Sequence, residues 1–354
     1  MRVTMRDVAQ RAGVSVQTVS AVLNGKPGIS AGTSEQVRQA IEALGYQPNL
    51  LASSLRSRRS TTIGLLLPNV ANPYFAEIAR GVEDVAQARG YSVMLCNHDG
   101  DPIKRSGYVR LLRQYQVAGI IGALDEDAVP GETSGTPARP AMSPLFGTWP
   151  GVDDRRGGYV ATAHLLDLGH RRIGCVTGPL PGGPGGQRLL GYREALADWS
   201  VPVEEALIVE GAFDFASGRR AASLLLERGA APTAIFAHND PMAIGVIVTL
   251  KRAGLRIPED VAVIGYDGTE IGALYDPPLS TVRQPTYDLG AAAMAALAEQ
   301  IEGRVWTADP ALPDCELIVR RSTVPGLDGE RPCGPIVGER PWTAWREEKE
   351  VLMP

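Results

Sequence analysis

The sequence predicts an all-α helix-turn-helix head followed by a larger α/β body of two lobes, and three observations carry that expectation. Residues 4–23 pair two short helical patterns across a single glycine. From Thr62 onward, short apolar runs alternate with longer amphipathic segments, the signature of parallel sheets covered by helices. Charge is split as well. Residues 1–60 hold eight Arg or Lys against three Asp or Glu, while the whole chain of 354 residues has a formal net charge of −5. A basic head on an acidic body fits a nucleic-acid-binding module attached to something that is not one.

In the head, Thr4 is placed to cap a first helix with Val8, Ala9 and Ala12 on one side, and Gly13 to end it. Ser15 caps a second helix whose Val19, Val22 and Leu23 face back. Two short helices crossing over a small apolar centre, with a polar outer face on the second, suit entry into a DNA major groove; an ordinary helical hairpin is the plainer alternative. Asn24-Gly25-Lys26-Pro27-Gly28 reads as a loop. Ser30 or Thr33 opens a third helix bearing Val37, Ala40, Ile41 and Leu44, which Gly45-Tyr46 closes. From Pro48, the segment through Arg59 reads as a short helix with two leucines and a basic end, marginal without a partner.

In the body, strands are expected at 62–68, 91–96, 119–123, 172–177, 206–209, 233–237 and 261–265. Helices are expected at 74–89, 103–116, 157–168, 187–199, 214–228 and 240–253. These units are too many for one comfortable sheet, so two doubly wound lobes with a cleft between them are the economical arrangement. Ligands in such sheets lie beyond the carboxyl ends of the strands. Asn72, Tyr74 and Phe75 follow the first strand there, with Phe75 equally suited to core packing at a helix start. Arg188 follows the glycine-rich run 178–186, Phe213 starts a helix, and Asn239, Asp240 and Asp267 follow later strands. Amides and carboxylates take paired hydrogen bonds from neighbouring hydroxyls and an aromatic covers an apolar ring face, so this set suits a polyhydroxylated ligand. For Asp240, a helix N-cap is at least as good a reading.

Val14 to Asn24, Tyr46-Gln47-Pro48-Asn49 and Ala52-Ser53-Ser54-Leu55 resemble the recognition helix and hinge helix of the lactose and galactose repressor family of bacterial transcription regulators. The resemblance runs from residue 2 to about 324 in the family's order and spacing. It implies a head at 1–46, a hinge at 47–60 and a two-lobed, type I periplasmic-binding-protein-like effector domain at 61–324 that also dimerises. On DNA, it implies Val16, Gln17 and Ala21 at base edges, with Thr4, Ser15, Thr18, Asn24, Ser30 and Asn49 as further contacts, largely to phosphates. Leu55 corresponds to the hinge residue that wedges into the minor groove, hinge-to-hinge packing being the alternative. Arg188, Phe213, Asn239 and Asp267 correspond to effector contacts, and Asp153 or Asp154 to another. The implied partners are a near-palindromic double-stranded operator, a sugar or sugar derivative as effector, and a second copy of the chain. Ala21 stands where many relatives carry an Arg, which leaves one operator position open.

The remaining features exclude more than they add. No run of eighteen apolar residues exists to span a membrane, and the start of the chain is the DNA-binding pattern, so a cytoplasmic protein is expected. Cys96, Cys175, Cys315 and Cys333 form no CxxC pair, and neither metal nor cofactor is expected. Gly28-Ile29-Ser30-Ala31-Gly32 has the spacing of a hydrolase elbow but sits between head helices. The 178–186 run resembles a phosphate cradle, yet its prolines lack donors; a mobile cleft loop is expected instead. His164 and His170 read as packing and loop-cap residues, and His98 as a strand-end residue that either faces the cleft or does not. Residues 124–150 hold five prolines and three glycines, with only 144–149 fit for a strand, and 325–354 reads as a disordered or loosely docked tail. An enzyme using the same cleft would need an activated nucleophile or an acid–base pair, neither of which is in a convincing context. A DNA binder whose body senses no ligand is the other alternative.

Overall fold

The computed structural model describes residues 3–23, 27–46, 60–122, 141–144, 153–180, 182–304, 314–327 and 329–335. The chain forms two compact units, Met1–Thr61 and Thr62–Pro354.

The first unit has three helices: α1 (Met5–Ala12), α2 (Val16–Leu23) and α3 (Ala31–Leu44). Thr4 and Asp7 form the cap of α1, with the Thr4 backbone N–H donating to the Asp7 carboxylate at 2.8 Å. Gly13 and Gly45 end α1 and α3 in the left-handed region, at φ 65° and 59°. Ser30, rather than Thr33, opens α3 by accepting from the Thr33 N–H at 3.1 Å. Val8, Ala9, Val19, Val37, Ala40 and Tyr46 form the buried centre. The short hinge helix expected from Pro48 lies outside the described residues.

The second unit starts with β1 (Thr62–Leu67), α4 (Pro73–Ala88), β2 (Ser92–Asn97), α5 (Pro102–Gln114), β3 (Gly119–Gly122) and β4 (Ala141–Pro144). It continues with α6 (Asp154–Asp167), β5 (Ile173–Thr177), α7 (Gly183–Asp198), β6 (Ile208–Glu210), α8 (Phe215–Glu227), β7 (Ala234–Ala237), α9 (Asp240–Arg252), β8 (Ala262–Ile264) and α10 (Glu270–Leu274). It ends with β9 (Thr281–Arg283), α11 (Thr286–Ile301), β10 (Glu316–Val319) and β11 (Arg331–Pro335). Two parallel four-stranded sheets result, ordered β2-β1-β3-β4 and β6-β5-β7-β8, one in each lobe, together with an antiparallel sheet β11-β10-β9 whose buried side chains join the core of the second lobe. Five consecutive residues of β1 are buried, as expected for a parallel strand covered on both faces.

Reciprocal glycines let helix pairs touch backbone to backbone. A Cβ on Gly81 of α4 would collide with the Tyr287 carbonyl of α11, and one on Gly290 with the Ile78 carbonyl of α4. Gly158 and Gly191 do the same for α6 and α7, Gly218 and Gly245 for α8 and α9. The helix α11 therefore returns the chain to the first lobe after β9 has left the second.

Several expectations need correction. The helix expected at 187 begins at Gly183, so Gly183-Pro184-Gly185-Gly186 is the first turn of α7 rather than a mobile cleft loop; Pro184 needs no N–H in that turn. The strand in the irregular stretch is Ala141–Pro144, meeting the expected 144–149 only at Pro144, with 145–149 outside the described residues. The tail is not wholly loose, because Arg331–Pro335 pairs with β10. Among the described residues, no helix is long and apolar enough to cross a membrane.

Candidate DNA-binding face and effector cleft

On the head, the start of α2 presents Val16, 40% exposed, and the exposed side chain of Gln17, with Ala21 half-buried one turn on. Ser15 accepts from the Thr18 N–H at 3.1 Å and shares a 2.9 Å hydroxyl contact with Thr18. Ser30 and Thr33 pair likewise at 2.8 Å. Thr4, Ser15 and Ser30 thus sit at helix starts, with Thr18 in the first turn of α2, where backbone N–H groups and the helix dipole favour an anion such as phosphate. Asn24, Asn49 and Leu55 lie outside the described residues.

In the body, Arg188 is the centre of the candidate site. It sits on α7, whose backbone is brought against α6 at Gly158. Its Nε donates to the Asp154 carboxylate at 2.8 Å, Nη2 lies 2.7 Å from the same oxygen, and Nη1 donates to the His238 carbonyl. Asp267 stands 3.9 Å from Nη1. The guanidinium lies 3.7 Å over the Tyr266 ring and 5.8 Å from the Phe213 ring. Burial opposes the charge on Arg188, but the attraction of Asp154, Tyr266 and Asp267 outweighs it and raises the pKa. The same burial pushes the Asp267 carboxyl well above its ordinary value, with Arg188 pulling the other way.

The other expected cleft residues take mixed places. Asp153 caps α6 by accepting from the Arg156 N–H at 3.0 Å, and its neighbour Asp154 makes the ion pair instead. The helix start expected at Phe213 falls at Phe215; Phe213 itself holds φ 60° in the loop, its ring filling the space that any Cβ on Gly178 would need. Asn239 uses both ends of its amide, accepting from the Met242 N–H at 3.0 Å as the cap of α9 and donating to the Phe213 carbonyl at 3.0 Å. Asp240 is therefore not the cap. It is fully buried, accepting from the Thr269 N–H at 2.6 Å, the Thr269 hydroxyl at 2.8 Å and the Thr281 hydroxyl at 2.7 Å. Asn72 caps α4 by accepting from the Tyr74 N–H at 3.0 Å. Tyr74 and Phe75 meet edge to face at 5.0 Å and pack into the core of the first lobe. Burial raises the pKa of Tyr74, and the charges of Asp267 and Asp154 add to that rise.

Three cleft residues escaped the sequence reading. Tyr266 stacks on Arg188. Gln284 donates from Nε2 to Asp267 at 2.8 Å, while its buried Oε1 has no hydrogen-bond partner among the described residues. His238 accepts from the Gly178 N–H at Nδ1, 3.2 Å, and meets the Cys175 thiol at Nε2, 3.3 Å. Burial, aided by Arg188, lowers the pKa of this imidazole well below its ordinary value. Tyr266 and His238 stand one residue before Asp267 and Asn239, so strand-end position was the available signal. Gln284 follows β9, which the periodicity did not reveal. The backbone N–H of His98 donates to the Leu67 carbonyl at 3.0 Å, and its buried ring nitrogens have no partner among the described residues. Among the described residues, no cluster of three His, Cys, Asp or Glu could hold a metal ion.

Comparison with known proteins gives the arrangement a context. Residues 4–49 match the family model described as bacterial regulatory proteins, lacI family, and residues 162–323 match a periplasmic binding protein-like domain. The chain is 35% identical over 337 residues to the HTH-type transcriptional repressor PurR of Photobacterium profundum, covering 90% of this chain and 98% of that one. It is 39% identical over 306 residues to the ribose operon repressor of Escherichia coli, covering 84% and 93%. Among solved structures, the lac repressor dimer bound to operator and an anti-inducer is similar, with TM-score 0.76, 29% identity and coverage of 91% and 99%.

Proposed function

The chain belongs to the lacI family of bacterial regulatory proteins, a ligand-responsive, DNA-binding family of transcription regulators rather than enzymes, and on that premise we propose that its effector is a neutral, polyhydroxylated small molecule such as a sugar. We further take it to act as a homodimeric repressor on a near-palindromic operator, with Gln17 and Val16 at base edges and Leu55 in the minor groove. The observation that carries the effector reading is the buried Arg188 set between Asp154 and Asp267, with the rings of Tyr266 and Phe213 alongside. The guanidinium already has Asp154 as its ion-pair partner, so an anionic ligand would have to compete with that carboxylate for it. A hydroxyl suits the place better. It can donate to Asp267 or to the orphaned Gln284 oxygen, whose lack of a donor costs about 1–3 kcal/mol. The ribose operon repressor and a cellobiose complex among the similar structures support a carbohydrate.

A thermal-shift panel of neutral sugars, nucleosides, sugar phosphates and sugar acids tests this. A true effector at a hundredfold excess over its Kd adds about 2.7 kcal/mol to folding. The expected hit is a neutral sugar, with its phosphorylated form inactive. Stabilisation by a sugar phosphate or sugar acid and by no neutral compound would contradict the reading.

A further inference from the structure

The match to the periplasmic-binding-like domain ends at residue 323, yet the chain beyond it is built into the body. Leu327 packs in the core of the second lobe. Glu330 then turns its carboxylate onto Arg320, which is 3% exposed: Nε and Nη2 donate to Oε2 at 3.1 and 2.6 Å, and Nη1 donates to the Leu279 carbonyl at 2.7 Å. The other oxygen of Glu330 takes Arg283 of β9 at 3.4 Å, and Arg283 also reaches Glu316 of β10 at 3.5 Å. Arg320 and Arg283 hold the Glu330 carboxyl below its usual range. After Glu330, β11 runs antiparallel to β10, pairing Arg331 with Val319 and Pro335 with Glu316.

The position of this segment gives it its meaning. The strand β9 leads out of the second lobe into α11 of the first, and β10 lies in the second lobe again, with Val282, Leu317 and Val319 in that lobe's core, so the two strands flank the points where the chain leaves this lobe and re-enters it. Two paired strands alone are marginal and twist readily; a third strand and a shared ion-pair network stiffen them. We propose that Leu327 and residues 329–335 form a strap at the root of the crossing, which restrains the movement of one lobe relative to the other. The restraint reaches the cleft through β9. Asp267 donates its N–H to the Val282 carbonyl at 2.9 Å, and Gln284, next to Arg283, holds the Asp267 carboxylate. Only this last consequence rests on the effector reading of the cleft.

The test needs no ligand, so its failure and that of the effector reading are separable. Spin labels at Arg110→Cys and Arg220→Cys, exposed positions on α5 and α8, report the distance between lobes in the full chain carrying Cys333→Ser, diluted with unlabelled chain. Glu330→Ala removes the clasp. A chain ended after Gly329 and carrying Arg320→Met removes the strap without leaving the buried guanidinium unpaired, and it decides the matter if Glu330→Ala does not fold. The parent should give one narrow distance distribution. The variants should at least double its width and speed amide exchange at 281–284, whose strand is separated from β11 by β10, about tenfold. A folded strapless variant with the parent's distance width and exchange at 281–284 would overturn the proposal, as would a parent already broad.

Discussion

Arg188 and Asp240 are both buried ionisable groups of the second lobe, and they behave differently. Arg188 is paired, so its charge is kept. Asp240 has only hydroxyl and amide donors, and burial pushes its pKa up to about 6 in spite of them. In the unfolded chain the group titrates near the ordinary 3.8. The folded state therefore binds the proton more tightly, and stability from this group is full below about pH 4 and falls as pH rises through 6, by about 3 kcal/mol in all. Asp240→Asn does not titrate. Its urea-unfolding free energy relative to the wild type should rise by about that amount between pH 4 and pH 7, and a difference independent of pH would show that Asp240 is already ionised at pH 4. At this scale the sequence was partly legible. Strand-end position found Arg188, Phe213, Asn239 and Asp267, but could not tell Asp153 from Asp154. Adjacent residues at a helix start point different ways, and only the helix axis decides which one caps and which one reaches Arg188.

Close helix pairs built on glycine are the main device at the level of elements. The touch of α6 and α7 at Gly158 and Gly191 sets Arg188 against Asp154. Gly158→Ala would drive a Cβ into the Arg188 carbonyl, and the separation needed should cost about 1–3 kcal/mol. Denaturant unfolding would measure it, with a neutral result showing that the contact is not constrained. Most strands and helices of the two lobes were legible because apolar runs and amphipathic stretches differ in period. The helix α11 was not: its Ala-rich sequence is buried on several sides, so no polar face marks it. The strands β9 and β10 have three and four residues, too few to show an alternation. The strand β11 contains Pro332 and Pro335, which argue against a strand except at an edge, and an edge is where it lies.

In the whole molecule a DNA-reading head is joined to a ligand-reading body, and on the function proposed above a neutral ligand held at Arg188 changes the affinity of the head for DNA. An operator selected from a random DNA pool, titrated with full chain by fluorescence anisotropy, measures this directly when repeated with each neutral sugar of the panel and with the Arg188→Met variant. Coupling of about 1–3 kcal/mol corresponds to a shift of about 5–150-fold in operator affinity. Such a shift is expected with at least one neutral sugar, and its loss in Arg188→Met with the ligand-free affinity kept. Operator affinity that no sugar alters, or a shift that survives intact in Arg188→Met, would contradict the proposed function.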